Sequence, residues 1–332
     1  MAEIEVSPKV ADHFVRFDWH NFARDPEAFR ASIIGSYERG KVILLDHPPF
    51  AVDFDVLQKV SLPPGRTFQK LSDRFFTRPK LHKAEVRRLY LDAFGTDLGL
   101  YLRFRGEVRR LSAEIRGFLR GLFRPYRFLR QGVSWRFTRT GPEGLHVDDF
   151  KQDEDLQHLR LFMNVDREPR VWTVSHPLEE LIDRYYEEAK LSELLRAPCN
   201  DVCRRLNKVV FDRVNALPRC AMDRHVVTFA PGDVWLCETR LNSHEIYSGH
   251  RMVATDFYVD PSSMLDPSQR VEAWVGGPNA GAGRLDSPAR RLSAGVTKPS
   301  WRAGCRKGSR RAGQGQRLQA GGRGGVATAT RR

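Results

Sequence analysis

The chain has 332 residues, of which 41% are hydrophobic, and a formal net charge of +14. Its length suits one large domain or two small ones, and its apolar fraction excludes a wholly disordered protein. The charge is concentrated at one end, because residues 276–332 hold 13 Lys and Arg against the single acid Asp286. A folded nucleic-acid-binding domain normally carries its basic surface on the domain itself, so the composition argues against nucleic acid as a partner. Binding of nucleic acid through the basic tail remains the non-enzymatic alternative.

Three features predict a cytoplasmic protein. The five cysteines are irregularly spaced and have no histidine partners at zinc-finger spacing, which indicates reduced thiols. The N-terminal sequence MAEIEVSPKV lacks the basic and apolar segments of a secretory signal. No apolar run approaches the roughly 20 residues that a membrane-spanning helix needs.

The N-terminal part is predicted to be mixed helix and strand. Residues Pro26–Arg39 are predicted to form a helix, and Lys41–Asp46 a short buried strand. A second helix is indicated by apolar residues spaced four and three apart, which lie on one helical face: Phe104, Val108, Leu111, Ile115, Phe118 and Leu122. Its opposite face is rich in arginine. That face is either a solvated surface or a basic surface attracted to an anionic membrane.

From Gly132 onward the pattern becomes strand-like. Short strands are predicted on both sides of two helices: Ser134–Thr138, Leu145–Phe150, Leu159–Val165, Val171–Val174, Arg224–Phe229, Val234–Tyr247 and Arg251–Val259, with helices at Leu178–Lys190 and Val202–Leu217. Many short strands after a helical half favour a β-sandwich or jelly-roll barrel backed by helices. The predicted class is therefore α+β, with a double-stranded β-helix (jelly-roll) core.

The predicted domain organisation follows from these patterns. Residues 1–265 form one domain, with a helical and mixed part over 1–130 and the jelly-roll core over 131–265. Residues 276–332 are rich in Gly, Ala, Arg, Ser and Pro and cannot bury enough apolar surface to fold, so a disordered basic tail is predicted. The same composition also fits out-of-frame reading of a GC-rich gene.

The segment Leu145–Phe150 contains a His-x-Asp motif. Alternate residues of a strand share a face, so His146 and Asp148 are predicted to point the same way. One imidazole and one carboxylate are two of the three ligands in a 2-His-1-carboxylate triad, which holds Fe(II) and leaves other positions open. The motif alone has little weight in a chain with ten histidines.

His244 supplies the third ligand of this predicted iron site. Arg251 follows it after the turn residues Ser248 and Gly249. In a hairpin across this turn, both side chains can point into the barrel, where a guanidinium can bind a carboxylate through two parallel hydrogen bonds. A metal with open positions beside a carboxylate clamp is the site that a 2-oxo diacid requires.

Other polar residues near these strands have open roles. Asn164 is predicted either to bind 2-oxoglutarate or to satisfy a buried backbone group. Arg136, Arg139 and Arg160 could meet an anionic sugar or lie at the surface. Zinc or another divalent ion remains an alternative occupant of the ligand triad.

The segments HVDDF and SHEIYSGHRMVATDFYVD resemble the Fe(II)/2-oxoglutarate-dependent dioxygenase superfamily in the order His-x-Asp, His, Arg. With LRLFMNVDREPRVWTVSH, the latter segment resembles the Kdo hydroxylase family over about residues 10–265. These bacterial enzymes hydroxylate the lipopolysaccharide inner-core sugar 3-deoxy-D-manno-oct-2-ulosonic acid (Kdo) at C3.

This resemblance implies an iron- and 2-oxoglutarate-dependent hydroxylase that consumes O₂. It implies that His146, Asp148 and His244 hold the iron and that Arg251 binds the distal carboxylate of 2-oxoglutarate. The implied substrate is a lipid-anchored Kdo glycolipid, reached by a cytoplasmic enzyme that is peripheral on the inner membrane face. Oxidation of a protein side chain or a small metabolite is the alternative enzymatic function.

Overall fold

The computed structural model describes residues 1–5, 13–60, 70–138, 143–150, 156–195, 197–217 and 222–276. The predicted disordered tail lies outside these ranges apart from Gly276, and so does Arg139. Within them, no helix is both long and apolar enough to cross a membrane. The described cysteines are buried free thiols: Cys199, Cys203 and Cys237.

Nine α-helices lie in the described ranges, of which the first and the fifth are the longest. They are α1 (Pro26–Glu38), α2 (Phe54–Gln58), α3 (Asp73–Thr77), α4 (Ala84–Phe94), α5 (Leu98–Leu122), α6 (Leu178–Tyr185), α7 (Cys199–Leu206), α8 (Asp212–Asn215) and α9 (Val271–Val275). A π-helical turn, Asn207–Phe211, joins α7 to α8. Helix α1 begins where predicted because Asp25 accepts a hydrogen bond from the Ala28 amide and proline occupies the first turn.

Helix α5 begins earlier than the predicted helix and carries the predicted buried face. Asp97 caps it by accepting a hydrogen bond from the Leu100 amide at 2.7 Å. The arginines opposite the buried face are not all solvated, because Arg116 forms an ion pair with Asp73 at 2.6 Å. The side chain of Ser112 accepts a 3.0 Å hydrogen bond from the Trp135 indole. Helix α5 is therefore attached to the sheet by polar as well as apolar contacts.

Leu111→Ala in the middle of this buried face is expected to lower the free energy of unfolding by about 2–5 kcal/mol, because Leu111 is fully buried and the substitution leaves a cavity. Leu102→Ala on the same helix is the matched control, since Leu102 is 52% exposed. Its effect should stay within about 0.5 kcal/mol. Urea unfolding of both variants measures the difference, and equal effects would contradict the assigned helix face.

In the same part of the chain, twelve strands form two sheets. They are β1 (Glu3–Glu5), β2 (Phe14–Asp18), β3 (Val42–Asp46), β4 (Leu71–Ser72), β5 (Phe128–Arg136), β6 (Gln157–Leu159), β7 (Leu161–Asn164), β8 (Arg170–Pro177), β9 (His225–Phe229), β10 (Val234–Leu236), β11 (Asn242–Ser248) and β12 (Met252–Val259). The larger sheet has the order β2-β3-β10-β7-β12-β5-β4, with β6 also pairing with β12. The smaller sheet has the order β1-β9-β8-β11. Pairing is antiparallel except between β2 and β3.

Two apolar layers flank the larger sheet. One face packs on the helices, with Phe104, Ile115 and Trp135 in the shared core. The other face meets the smaller sheet through a second cluster that includes Phe162 and Trp172. Helices against one face of largely antiparallel sheets confirm the predicted α+β class.

Two strand predictions differ from the structure. The predicted strand Val234–Tyr247 is divided into β10 and β11, because residues 238–241 leave the sheet. Here the fully buried Glu238 binds the Arg240 guanidinium at 3.2 Å. The predicted strand Leu145–Phe150 pairs with its neighbour only through a bridge between His146 and His244.

Candidate metal centre

The His-x-Asp segment is held on both sides by hydrogen bonds. On one side, His146 and His244 exchange backbone hydrogen bonds of 3.0 and 2.8 Å. On the other side, three asparagine side chains take the place of a neighbouring strand. Each bonds to both the amide and the carbonyl of one residue: Asn215 to Leu145, Asn207 to Val147 and Asn200 to Phe150. We call Asn200, Asn207 and Asn215 the asparagine ladder.

His244 lies on β11 next to an aromatic side chain. Its side chain is almost fully buried, and its ring stacks on Trp172, with centroids 5.3 Å apart and planes inclined by 24°. The His146 ring lies 4.7 Å from it, centroid to centroid. The bridge that pairs the two backbones thus also brings the two imidazoles together.

The three predicted ligands converge through one atom each. Asp148 Oδ1 lies 3.5 Å from His146 Nε2 and 4.0 Å from His244 Nε2. In both rings the other nitrogen faces a backbone carbonyl: His146 Nδ1 faces Gly144 O at 2.7 Å, and His244 Nδ1 faces Asn242 O at 3.1 Å. A carbonyl only accepts, so in the neutral form of each ring Nδ1 carries the proton and Nε2 has the free lone pair. This tautomer is the one that a metal-binding histidine needs.

Asp148 is oriented by two neighbours. Its other oxygen, Oδ2, accepts hydrogen bonds from Arg160 Nη1 and Thr239 Oγ1. The Arg160 side chain is only 7% exposed. With Oδ2 engaged, Oδ1 is the oxygen that remains for a metal ion.

The local electrostatics shift the pKa values of the three ligand side chains in different directions. Burial opposes ionisation of Asp148, but the His146 hydrogen bond and the Arg160 charge hold the pKa of Asp148 well below its ordinary value. Burial, reinforced by the charge of His146, lowers the pKa of His244 to about 4. Burial also acts to lower the pKa of His146, but Asp148 raises it to about 9. Metal binding would therefore displace a proton from His146.

Two imidazole nitrogens and one carboxylate oxygen suit Fe(II) or another divalent first-row metal, with positions left for other ligands. The ligand atoms of this triad lie within 4.8 Å of one another. A second group in the described ranges, Asp18 with His20 and His47, meets the same limit. Its histidine side chains are 70% and 54% exposed, whereas the first group lines a cavity.

A cavity of about 230 Å³ opens at the triad. Its polar wall contains basic and acidic side chains and one threonine hydroxyl: Lys70, Arg136, Glu143, His146, Asp148, Arg160, Thr239 and His244. Its apolar wall includes Phe150, Phe162, Trp172, Ile246 and Met252. Beside a metal, this space suits a small ligand with negative charge.

The structure corrects the prediction for Arg251. Met252 and Ala254 of β12 line the cavity, so by alternation Arg251 faces the helices. Its Nη2 donates to the carbonyls of Gln58 and Val60 at 3.0 and 3.1 Å. The guanidinium is therefore occupied on the side of the sheet away from the metal ligands.

Asn164 is also placed outside the cavity. Its amide nitrogen donates to the carbonyls of Glu168 and Phe229, both at 3.0 Å, and its oxygen accepts from the Asp166 amide. Of the two predicted roles, backbone satisfaction is the one that these contacts support.

Sequence reasoning did not find Thr239 or the asparagine ladder. Thr239 lies in the irregular segment between β10 and β11, where no periodicity indicated its direction. The ladder had a recognisable signal, because its asparagines recur seven and eight residues apart, a spacing that places them on one helical face.

Thr239→Val is expected to weaken divalent-metal binding by about 10- to 100-fold, because it removes a hydroxyl that orients the ligand Asp148 while keeping the side-chain shape. Anaerobic titration with Fe(II) measures the change. Thr255→Val is the control, since Thr255 is equally buried but bonds to the backbone of Leu159 and Leu161. Equal metal affinity in the two variants would contradict the role of Thr239.

No protein-family model matches the chain, and no curated protein matches it in sequence. Among solved structures, it is similar to the Kdo hydroxylase KdoO, a non-heme Fe(II) alphaketoglutarate-dependent dioxygenase, in complex with cobalt(II). The two share 16% identity and a TM-score of 0.58, over 80% of this chain and 94% of that chain. The complex of the same hydroxylase with alphaketoglutarate and Fe(III) gives 16% identity and a TM-score of 0.57, over 79% and 94%. The predicted resemblance is thus confirmed in three dimensions, and the chain has the fold of this Kdo hydroxylase.

Proposed function

We propose that this protein is an Fe(II)/2-oxoglutarate-dependent oxygenase that hydroxylates Kdo in a lipid-anchored glycolipid. The observation that carries the proposal is the convergence of His146 Nε2, His244 Nε2 and Asp148 Oδ1 at one cavity. The likeness in fold to a Kdo hydroxylase supports the same function.

In the proposed reaction, bound iron with 2-oxoglutarate and O₂ supplies the oxidising power for hydroxylation of a C–H bond. His146, Asp148 and His244 would hold the metal through one atom each. Arg160 and Thr239 donate to Asp148 Oδ2 and so orient the carboxylate with Oδ1 toward the two histidines. Trp172 covers His244 and excludes water from that side of the cavity.

The charge of the cavity supports an acidic sugar as substrate. Three cations and two carboxylates line it: Lys70, Arg136 and Arg160, with Glu143 and Asp148. Asp148 is a proposed metal ligand, so the other charged side chains are mainly positive. Lys70 forms an ion pair with Asp256 at 2.7 Å and is 43% exposed, which places a cation near solvent. An anionic sugar entering from solvent would meet this side chain first.

The sheet order supports the predicted jelly-roll core. Strands β10, β7, β12 and β5 of the larger sheet face β9, β8 and β11 of the smaller one, and the His146 bridge extends the smaller sheet by one further segment. We infer that these two four-membered layers form the double-stranded β-helix.

A lipid-anchored substrate requires the enzyme to approach a membrane. Exposed leucines cluster where α4 and α5 meet: Leu91, Leu98 and Leu102 are 54%, 65% and 52% exposed. The exposed Arg103 and Arg109 follow on α5. Apolar side chains beside basic ones suit peripheral binding to an anionic bilayer, in line with a cytoplasmic enzyme on the inner membrane face. Co-sedimentation with anionic rather than zwitterionic vesicles tests this contact.

The test of function is succinate release by the Fe(II)-loaded protein on addition of a Kdo-bearing lipid A precursor. The expected product is one oxygen heavier, and the oxygen should derive from ¹⁸O₂. Turnover of 2-oxoglutarate that Kdo does not stimulate would favour a protein side chain or small metabolite as substrate. Lack of Fe(II) binding by the wild type would refute the oxygenase.

A further inference from the structure

Asp18, His20 and His47 bring metal-binding side chains together away from the triad, and we call them the exposed group. One ligand atom from each lies within 4.8 Å of the others. Strands β2 and β3 run parallel, with Asp18 opposite Asp46, so the two strands end side by side. Asp18 ends β2, and His47 follows the last residue of β3. Residues from two separate segments of the chain therefore meet at one point of the surface.

One carboxylate oxygen in this group faces more nitrogens than it can satisfy by hydrogen bonding. Asp18 Oδ1 accepts a hydrogen bond from the His20 backbone amide at 3.0 Å. The same oxygen lies 3.0 Å from His47 Nδ1 and 3.2 Å from His20 Nδ1. A carboxylate oxygen has about two lone-pair positions, so it cannot accept well from all three nitrogens. A cation among the side chains removes the conflict, because each neutral imidazole then offers a lone pair instead of a proton.

The separations suit a zinc ion. Zn(II) binds imidazole nitrogens and carboxylate oxygens at about 2.0–2.2 Å in tetrahedral geometry, which places neighbouring ligand atoms about 3.3 Å apart. The observed separations of 3.0 and 3.2 Å from Asp18 Oδ1 are close to this value. The two imidazole centroids are 4.5 Å apart, with planes inclined by 35°. Three protein ligands would leave the fourth position to water.

The backbone of His47 adopts a conformation that a side chain normally avoids. Its φ is +52°, in the left-handed region that favours glycine. The following residue is Pro48, which further restricts the conformations open to the residue before it. Such an outlier points to a functional constraint. Here the constrained residue is the one whose imidazole lies nearest to the Asp18 carboxylate.

The surroundings of the exposed group do not oppose a cation. The neighbouring Arg16 forms an ion pair with Asp46 at 3.1 Å, so its positive charge is balanced. The side chains of Asp18, His20 and His47 are 41%, 70% and 54% exposed. An ion can reach them from solvent without any opening of the fold.

We propose that Asp18, His20 and His47 bind a zinc ion at the surface, separately from the iron site. In the Irving–Williams order a given ligand set binds Zn(II) more tightly than Fe(II), so this site should take zinc and leave Fe(II) to the triad. The ion joins the end of β2 to the turn after β3. It stabilises the folded state, because the unfolded chain does not hold these ligands together.

The test is calorimetric titration with Zn(II) of the chelator-treated full chain without a histidine tag. His146→Ala removes a ligand of the triad, so zinc that still binds belongs elsewhere, and we expect one ion. Adding His20→Ala should weaken this binding by at least about 100-fold, because loss of a direct ligand costs no less than loss of an outer contact. Adding His47→Asn should do the same, since asparagine tolerates the left-handed backbone. Zn(II) should raise the unfolding temperature of His146→Ala but not that of either double variant.

His82→Ala is the matched control in the His146→Ala background. His82 is exposed and lies outside both metal-binding groups, so this variant should keep the zinc ion. The inference is overturned if His146→Ala binds no zinc, or if its zinc survives both His20→Ala and His47→Asn. Either result leaves the proposed oxygenase untouched, since that function depends on Fe(II) binding by the triad.

Discussion

Replacing His146 by alanine is expected to abolish Fe(II) binding and to reduce 2-oxoglutarate turnover by on the order of 10³-fold or more. A bound metal supplies several kcal/mol of transition-state stabilisation, and each 1.4 kcal/mol changes the rate about tenfold. The fold should survive, since the side chain is 30% exposed. Anaerobic Fe(II) titration and succinate formation are the measurements.

His20→Ala is the matched control for this variant. It removes one member of the exposed Asp18, His20 and His47 group, so it shows whether iron binds there instead. If His20→Ala loses iron and His146→Ala keeps it, the metal binds at the exposed group, and the proposed centre is refuted.

Arg160→Met is expected to lower the free energy of unfolding by about 3–5 kcal/mol in the presence of a chelator. The substitution leaves the part-buried Asp148 carboxylate without its arginine partner. Saturating divalent metal should restore part of this loss, because the metal becomes the counter-charge and binds the folded state selectively. Urea unfolding with and without metal measures both effects.

Arg124→Met serves as the control for charge removal. Arg124 pairs with Glu27, and both side chains are 65% exposed, so the expected loss is below about 1 kcal/mol in either condition. A loss in Arg160→Met that is as small as this, or one that metal does not reduce, would show that Arg160 does not neutralise Asp148.

Local patterns allowed much of the fold to be predicted. The four-and-three spacing from Phe104 to Leu122 located the buried face of α5, and the residues before α1 located its start. The pairing of strands that are distant in sequence was harder to predict. The interruption between β10 and β11 arises from the buried pair of Glu238 and Arg240. Alternation of apolar and polar residues along the sequence does not indicate such a pair.

At the candidate site, alternation within one strand correctly placed His146 and Asp148 on a common side. The same rule placed Arg251 on the wrong face of the sheet. The face that each residue of β12 occupies depends on the residue at which the turn through Gly249 ends. A change of one residue at that point exchanges the two faces.

The asparagine ladder has a consequence for self-association. A sheet normally ends in a strand whose unpaired amides and carbonyls can recruit the same strand of another molecule. Here the Leu145–Phe150 segment directs those groups at amide side chains from the helical region, which satisfy donor and acceptor together. The segment that carries two of the metal ligands is thereby protected from strand addition, so this margin of the smaller sheet can stay open to small ligands without becoming a template for aggregation.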